Sequence, residues 1–102
     1  MRRSELEAFA RTTYLTDGQA PVLDRARPLF GALIDALLAL PEEAKIGERI
    51  APFRNCVEGL NDMAEDIETV ERECFCDAIY RIGTIVGLEA RSQFVERWRG
   101  DW

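Results

Sequence analysis

Apolar residues recur every three or four positions over most of the chain, which is the period of an amphipathic α-helix. The clearest example is the stripe formed by Phe53, Cys56, Val57, Leu60, Met63 and Ala64. The sequence has no strand-like alternation, and no Asn-Gly or Asp-Gly turn joins two alternating runs. The pattern therefore predicts an all-α protein, a compact bundle of five or six short helices that folds as a single helical domain over residues 1–102.

Capping residues, prolines and glycines set the predicted helix boundaries. Helix one starts at Ser4, where Glu7 completes a capping box, and ends before Gly18. The other predicted segments are a kinked turn at 21–26, a second helix from Pro28 to about Leu40, a third segment at 41–50, a fourth helix from Pro52, a fifth helix capped by Thr69 and stopped by Gly87, and a sixth helix at 89–99. The second helix is apolar around much of its circumference, so we expect it at the centre, with Leu33, Ile34 and Leu37 buried.

The composition excludes several functional classes. The chain contains no histidine, which removes Ser-His and Cys-His nucleophile pairs, HExxH metalloproteases and Cys2His2 zinc fingers. Its 13 basic and 19 acidic residues give a net charge of −6, which argues against nucleic acid as a partner. The longest apolar run is too short to span a bilayer and the N-terminus lacks a signal-peptide pattern, so we expect a cytoplasmic protein with no membrane partner. Twelve of the 13 basic residues are arginine, a bias typical of a GC-rich bacterial genome.

Three cysteines, Cys56, Cys74 and Cys76, make an odd number. Cys74 and Cys76 are two residues apart, and on a helix such residues face different directions, so they do not favour a shared disulfide or metal. We interpret all three as free thiols in a reducing compartment, with no metal and no cofactor.

Charge is distributed unevenly along the chain. Between residues 58 and 77 there are eight acids, here called the acidic ridge, and a single base, Arg72: the acids are Glu58, Asp62, Glu65, Asp66, Glu68, Glu71, Glu73 and Asp77. Such a surface is either a solvated polar face or a docking site for a basic protein. The candidate partner-binding residues are Glu58, Asp62, Glu65, Asp66, Glu68, Glu71 and the aromatic residue Tyr80, which lies off the apolar stripe of its helix.

An enzymatic alternative would use these acids as metal ligands. All-α nucleotide pyrophosphohydrolases of the MazG type hold magnesium with a Glu-x-x-Glu pair on one helix and a Glu-x-x-Asp pair on the next. Here Glu65 and Glu68 fall in a predicted loop, and Glu73 and Asp77 are one residue too far apart. An EF-hand over residues 62–73 is rejected, because Ile67 stands where the calcium loop needs glycine. We therefore predict no catalytic residues.

The segment from Phe53 to Leu88 contains the sequences Val-Glu-Gly-Leu-Asn and Ile-Glu-Thr-Val-Glu-Arg. It resembles a stretch in small bacterial helical proteins, some of which are similar to immunity proteins encoded beside toxins. The resemblance implies a non-enzymatic protein that neutralises a cognate toxin, here through an acidic surface. The alternatives are a helical adaptor or self-associating module without a toxin and, as a minor one, a carboxylate-metal hydrolase.

Overall fold

A computed structural model describes residues 2–88 and 94–102, and within these ranges it contains four α-helices. They span Arg3–Ala10 (α1), Ala20–Leu38 (α2), Ile46–Asn61 (α3) and Thr69–Ile85 (α4). Short 3₁₀ turns lie at Ala64–Asp66 and Phe94–Arg97. The all-α prediction is confirmed, whereas the predicted number of five or six helices is slightly too high.

The count differs because two prolines lie inside continuous helices. Pro28 falls in the middle of α2, and Pro52 falls in the middle of α3. The start of α2 is marked instead by Pro21 in its first turn, where the missing N–H costs nothing. The predicted kinked turn and second helix are therefore one helix, and the third and fourth segments merge into α3 from Ile46 onward.

The N-termini of two helices differ from the prediction by one or two residues. The N-cap of α1 is Arg2 rather than Ser4, and that of α4 is Glu68 rather than Thr69. The stop at Gly87 is confirmed, since this residue has a φ of +88° and the Leu88 amide donates back to the Gly83 carbonyl at 2.8 Å. Of the predicted sixth helix, residues 89–93 lie outside the described ranges, and within the remainder only Phe94–Arg97 is helical, as a 3₁₀ turn.

Arginine side chains at helix ends show how the helices are arranged. Arg3, at the start of α1, donates to the carbonyls of Leu38 and Leu40 at the end of α2, and Arg2 donates to the Thr84 carbonyl near the end of α4. Arg49, in the first turn of α3, donates to the Val86 carbonyl at 2.7 Å. Helices α1 and α3 therefore begin where α2 and α4 end, so the two pairs run in opposite directions. Cations at these C-termini also complement the helix dipoles.

The core fills the space between all four helices and includes the C-terminal segment. Leu33, Ile34 and Leu37 of α2 are buried, as the sequence predicts. Phe30 packs against Phe75 of α4 with ring centroids 5.8 Å apart. The other fully buried large side chains are Leu6, Leu15, Phe53, Val57, Leu60, Ile79, Ile82 and Phe94. Among the described residues, two large apolar side chains are exposed: Ile46 at 59% and Val70 at 53%.

Candidate partner-binding surface

Four of the predicted binding residues line two adjoining hollows at the end of the bundle where α2 and α4 begin. Asp62, Glu65 and Asp66 line a hollow of about 410 Å³. Glu65 and Asp66 also line a second hollow of about 300 Å³, together with Glu68. All four of these residues are exposed to solvent. We call this surface the acidic end.

Asp101 is a further acid at this surface and is not among the binding residues predicted from the sequence. It lines the larger hollow together with Asp62. The side chain of Asn61 explains how the C-terminus reaches this point: its Nδ2 donates to the Trp98 carbonyl at 2.8 Å, and its Oδ1 accepts from the Gly100 amide at 2.8 Å and from Trp102 Nε1 at 2.7 Å. Trp102 is buried against Phe75, with ring centroids 6.4 Å apart. These contacts hold Asp101 on the acidic end.

Two of the predicted binding acids pair with bases. Asp66 accepts from Arg25 of α2 at 2.7 Å, an ion pair in which both side chains are more than half exposed. Glu58 lies one turn before Asp62 on α3 and pairs with Arg54 at 3.2 Å. Exposed pairs of this kind contribute little stability. Glu58 lines neither hollow of the acidic end, although its i,i+4 spacing places it on the same face of α3 as Asp62.

Glu71 is a correction to the predicted surface, because its side chain is buried and only 2% of the residue is exposed. Its Oε1 accepts from the Glu68 amide at 2.9 Å, and its Oε2 accepts from the Gln19 amide at 3.2 Å. One carboxylate thus satisfies the first amides of both α4 and α2, where the positive ends of two helix dipoles favour a negative charge. Glu71 joins two helices and is not available to a partner.

Close packing around Glu71 requires glycine at position 18. Gly18 has a φ of +138°, and a Cβ built on it would lie 2.5 Å from Glu71 Cγ. Both observations exclude an ordinary side chain there. The turn before α2 and the first turn of α4 therefore fit against each other at one specific place.

Tyr80 lies apart from the acidic end, about three turns further along α4 than Glu68. It is half-buried, and its ring meets that of Phe94 edge-on with centroids 5.1 Å apart. Burial raises the pKa of its phenol, and a hydrogen bond from the Val95 backbone opposes that shift. Tyr80 therefore supports the C-terminal segment, and the structure does not bring it together with the acids.

The cysteines are free thiols: Cys56 and Cys74 are buried, and Cys76 is half-buried. Burial raises the pKa of the Cys56 thiol to about 12 and raises that of Cys76 as well. Cys74 Sγ lies 3.7 Å from the Tyr14 carbonyl oxygen. A buried thiol with a raised pKa is a poor nucleophile and a poor metal ligand at neutral pH, so Cys56 acts as a core side chain.

Within residues 2–88 and 94–102, no three His, Cys, Asp or Glu side chains come together in a group that could hold a metal ion. Glu65 and Glu68 face the acidic end, whereas Glu73 and Asp77 line a different hollow on the side of the bundle. The two carboxylate pairs of the hydrolase alternative thus lie on different surfaces. None of the helices in the described part of the chain is long and apolar enough to cross a bilayer.

Comparisons of the chain with models of protein families, with curated proteins and with solved structures gave no match.

Proposed function

We propose that this chain is a non-enzymatic protein-binding protein that presents its acidic end to a basic surface of a partner protein. The observation that carries the proposal is the exposure of Asp62, Glu65, Asp66 and Asp101 around one hollow. Among the described residues that line the two hollows, Arg25 is the single base, and it pairs with Asp66. The surface therefore has a strongly negative potential that a basic partner complements.

The position of Asp62 supports a functional origin for this charge. Asp62 is the C-cap of α3, where the helix dipole is negative and a carboxylate is unfavourable. The ends of α2 and α4 instead carry arginine contacts, from Arg3 to Leu40 and from Arg2 to Thr84. Glu71 has a structural use at two helix N-termini, whereas the dipole of α3 opposes an acid at position 62.

The most concrete version of the proposal is a bacterial immunity protein. It rests on the resemblance of the segment from Phe53 to Leu88 to such proteins. Asn61 and Asp62 lie within that segment, as do Glu65 and Glu68. In this version the carboxylates of the acidic end cover a basic substrate-binding surface of a toxin, and inhibition follows from occupying it. Attraction between opposite charges accelerates encounter, and salt weakens it.

The test is capture of the partner from the native host with two charge-matched variants. Asp62→Lys with Glu65→Lys reverses two charges at the acidic end. Glu42→Lys with Glu43→Lys makes the same change of net charge at two exposed residues between α2 and α3. We expect the first variant to fail to capture the partner and to fail to protect the host cell from the partner's toxicity. The second variant should still do both.

Association rates measured against salt complete the test. For the unmodified chain the on-rate should fall as the Debye length shortens from about 10 Å at 0.1 M to about 3 Å at 1 M. If both variants bind with the same on-rate and the same salt dependence as the unmodified chain, the acidic end is only a solvated face. If the chain captures only copies of itself, the alternative of a self-associating module holds.

A further inference from the structure

A third hollow lies on the side of the bundle, between the segment that joins α1 to α2 and one side of α4. It has a volume of about 500 Å³. We call it the side hollow. Its lining residues are Thr13, Tyr14, Thr16, Asp17, Gly18, Val70, Glu73, Cys74, Asp77 and Arg81. It differs from the acidic end in combining carboxylates with an exposed apolar surface.

The apolar part is formed chiefly by Val70 and Tyr14. Val70 is 53% exposed, although it lies one turn before the buried Cys74 on α4. Tyr14 is half-buried, stacks on Phe9 with centroids 4.8 Å apart, and forms the inner wall with Cys74. Burial raises the pKa of the Tyr14 phenol, so the hydroxyl stays protonated at neutral pH. Exposed apolar area inside a concave site is a common feature of binding surfaces.

The charged part is formed by Asp17, Glu73 and Asp77, and within residues 2–88 and 94–102 one base, Arg81, lines it with them. The Arg81 guanidinium lies 3.7 Å from the Asp77 carboxylate and 5.1 Å from the centroid of the Phe9 ring. Contact with the Phe9 ring and with Asp77 holds Arg81 at one edge of the hollow. The hollow therefore retains an excess of negative charge beside an apolar wall.

The side hollow adjoins the acidic end across Glu71. Gly18 lines the side hollow and Gln19 lines the acidic end, and the buried Glu71 carboxylate contacts both residues. At the start of α4, likewise, Val70 lines the side hollow and Glu68 lines the acidic end. A partner seated on the acidic end thus reaches the side hollow by crossing the link between α2 and α4.

We propose that the side hollow receives a lysine or arginine side chain of the protein partner. The proposal rests on the proposed function, since the same partner covers the acidic end. The occupant matches both parts of the site: its aliphatic stem lies on Val70 and Tyr14, and its cationic head lies among Asp17, Glu73 and Asp77. Lysine and arginine have this combination of a long apolar stem and a charged end. An uncharged apolar side chain would leave the carboxylates without a partner, and an acidic one would be repelled.

The hollow can be tested without the partner, by NMR titration of the full chain with a small probe. The probes are Nα-acetyl-arginine N-methylamide, its lysine analogue and, as an uncharged control, the leucine analogue. We expect the two cationic probes to shift the backbone amides of residues 13–18 and 70–77, and the leucine probe to leave them unchanged.

Substitutions of charged residues that line the side hollow should change the binding of the cationic probes in opposite directions. The measured quantity is the initial slope of the amide chemical-shift change against probe concentration. Glu73→Gln with Asp77→Asn should lower this slope at least tenfold, because it removes two charges close to the cation. Arg81→Gln should raise it, because it removes a like charge. The matched control, Asp62→Asn with Glu65→Gln, removes two charges from the acidic end and should leave the slope at residues 13–18 and 70–77 nearly unchanged.

The inference is overturned if the cationic probes fail to shift these amides, or if the control variant reduces the slope as much as the wall variant. It is also overturned if a captured partner binds the Glu73→Gln, Asp77→Asn chain as tightly as the unmodified one. These outcomes are distinct from failure of the proposed function, which is decided by the Lys variants of Asp62 and Glu65 in the host. A chain that captures a partner but does not bind the probes keeps the proposed function and loses the side hollow.

Discussion

The contact made by Glu71 allows a stability prediction that can be worked from the structure. Glu71→Ala removes a carboxylate that accepts from the amides of Glu68 and Gln19 at 2.9 and 3.2 Å. A hydrogen bond to a charged group contributes about 1.5–3 kcal/mol net, and loss of one N-cap contact costs about 1 kcal/mol. Water can reach part of the opened site, so we expect a loss of about 3 kcal/mol in the free energy of unfolding. That is a large fraction of the stability of a small domain.

The assay is urea unfolding followed by circular dichroism and tryptophan fluorescence, with stability compared at equal m-values. Glu73→Ala is the matched control, since it removes the same charge two residues along α4 from an exposed position, and it should change stability by less than about 0.5 kcal/mol. Glu71→Gln should lose about half as much as Glu71→Ala, since its amide keeps one acceptor oxygen and places a donor against the other backbone N–H.

A double-mutant cycle with Gly18→Ala tests the packing beside the carboxylate. The new Cβ would lie 2.5 Å from Glu71 Cγ, so part of the cost of Gly18→Ala should disappear when Glu71 is already alanine. We expect a coupling of about 1 kcal/mol or more between the two positions. If Glu71→Ala costs no more than Glu73→Ala, or if the two substitutions at 18 and 71 are additive, the link between α2 and α4 does not stabilise the protein as argued.

Three further predictions concern the core, the C-terminus and the thiols. Leu37→Ala should cost about 2–5 kcal/mol in urea unfolding because Leu37 is completely buried, whereas a loss below about 0.5 kcal/mol would remove α2 from the centre of the core. Asn61→Ala should release the C-terminal segment and shift Trp102 fluorescence to the red, while the exposed control Asn55→Ala should not; unchanged quenching of Trp102 by acrylamide would contradict the role of Asn61. Because the pKa of Cys56 is raised from 9.0 to about 12 in the folded state, its contribution to stability is complete below about pH 9 and is lost as the pH rises from 9 toward 12, by about 1.4 kcal/mol per pH unit. In urea unfolding, the free energy of unfolding of Cys56→Ala should therefore fall less above pH 9 than that of the unmodified chain. Identical pH profiles for the two chains would refute the prediction.

Proline shows where the sequence predicts this fold and where it does not. The apolar periodicity of α2 and α3 is correct, but the predicted helix starts at Pro28 and Pro52 lie inside these helices. A proline inside a helix removes one hydrogen bond to the carbonyl four residues earlier, here that of Asp24 or Glu48. Both of these residues are exposed, so water can satisfy the freed carbonyl and the helix continues. The preference of proline for a first helical turn therefore favours a helix start at these positions, and it is overridden where the freed carbonyl lies on the solvent side of a continuous helix.

Glu71 and Asp101 illustrate the same limit for the candidate site. The segment Glu68-Thr69-Val70-Glu71 has a glutamate three residues after the true N-cap, which is the spacing of a capping box, so placing the N-cap one residue earlier would have indicated a structural role for Glu71. The second contact, to Gln19, joins residues far apart in sequence and has no local signal. Asp101 reaches the acidic end only because Asn61 binds the C-terminal backbone. The exposure of Asp62 and Glu65, in contrast, follows from their positions off the apolar stripe.

Asp62 provides the sharpest distinction between a structural and a functional origin of the acidic end. It lies at the negative end of the α3 dipole and lines a hollow with three other carboxylates, so both the dipole and its neighbours oppose its charge. Asp62→Asn should therefore raise the free energy of unfolding by about 0.3–1 kcal/mol, and more at low ionic strength than at 1 M salt. The same substitution should slow association with the partner. An acid that destabilises the fold but accelerates binding is what selection for function produces. If Asp62→Asn instead destabilises the protein in urea unfolding, the carboxylate has a structural use, and its position at the end of α3 no longer supports a functional origin of the acidic end.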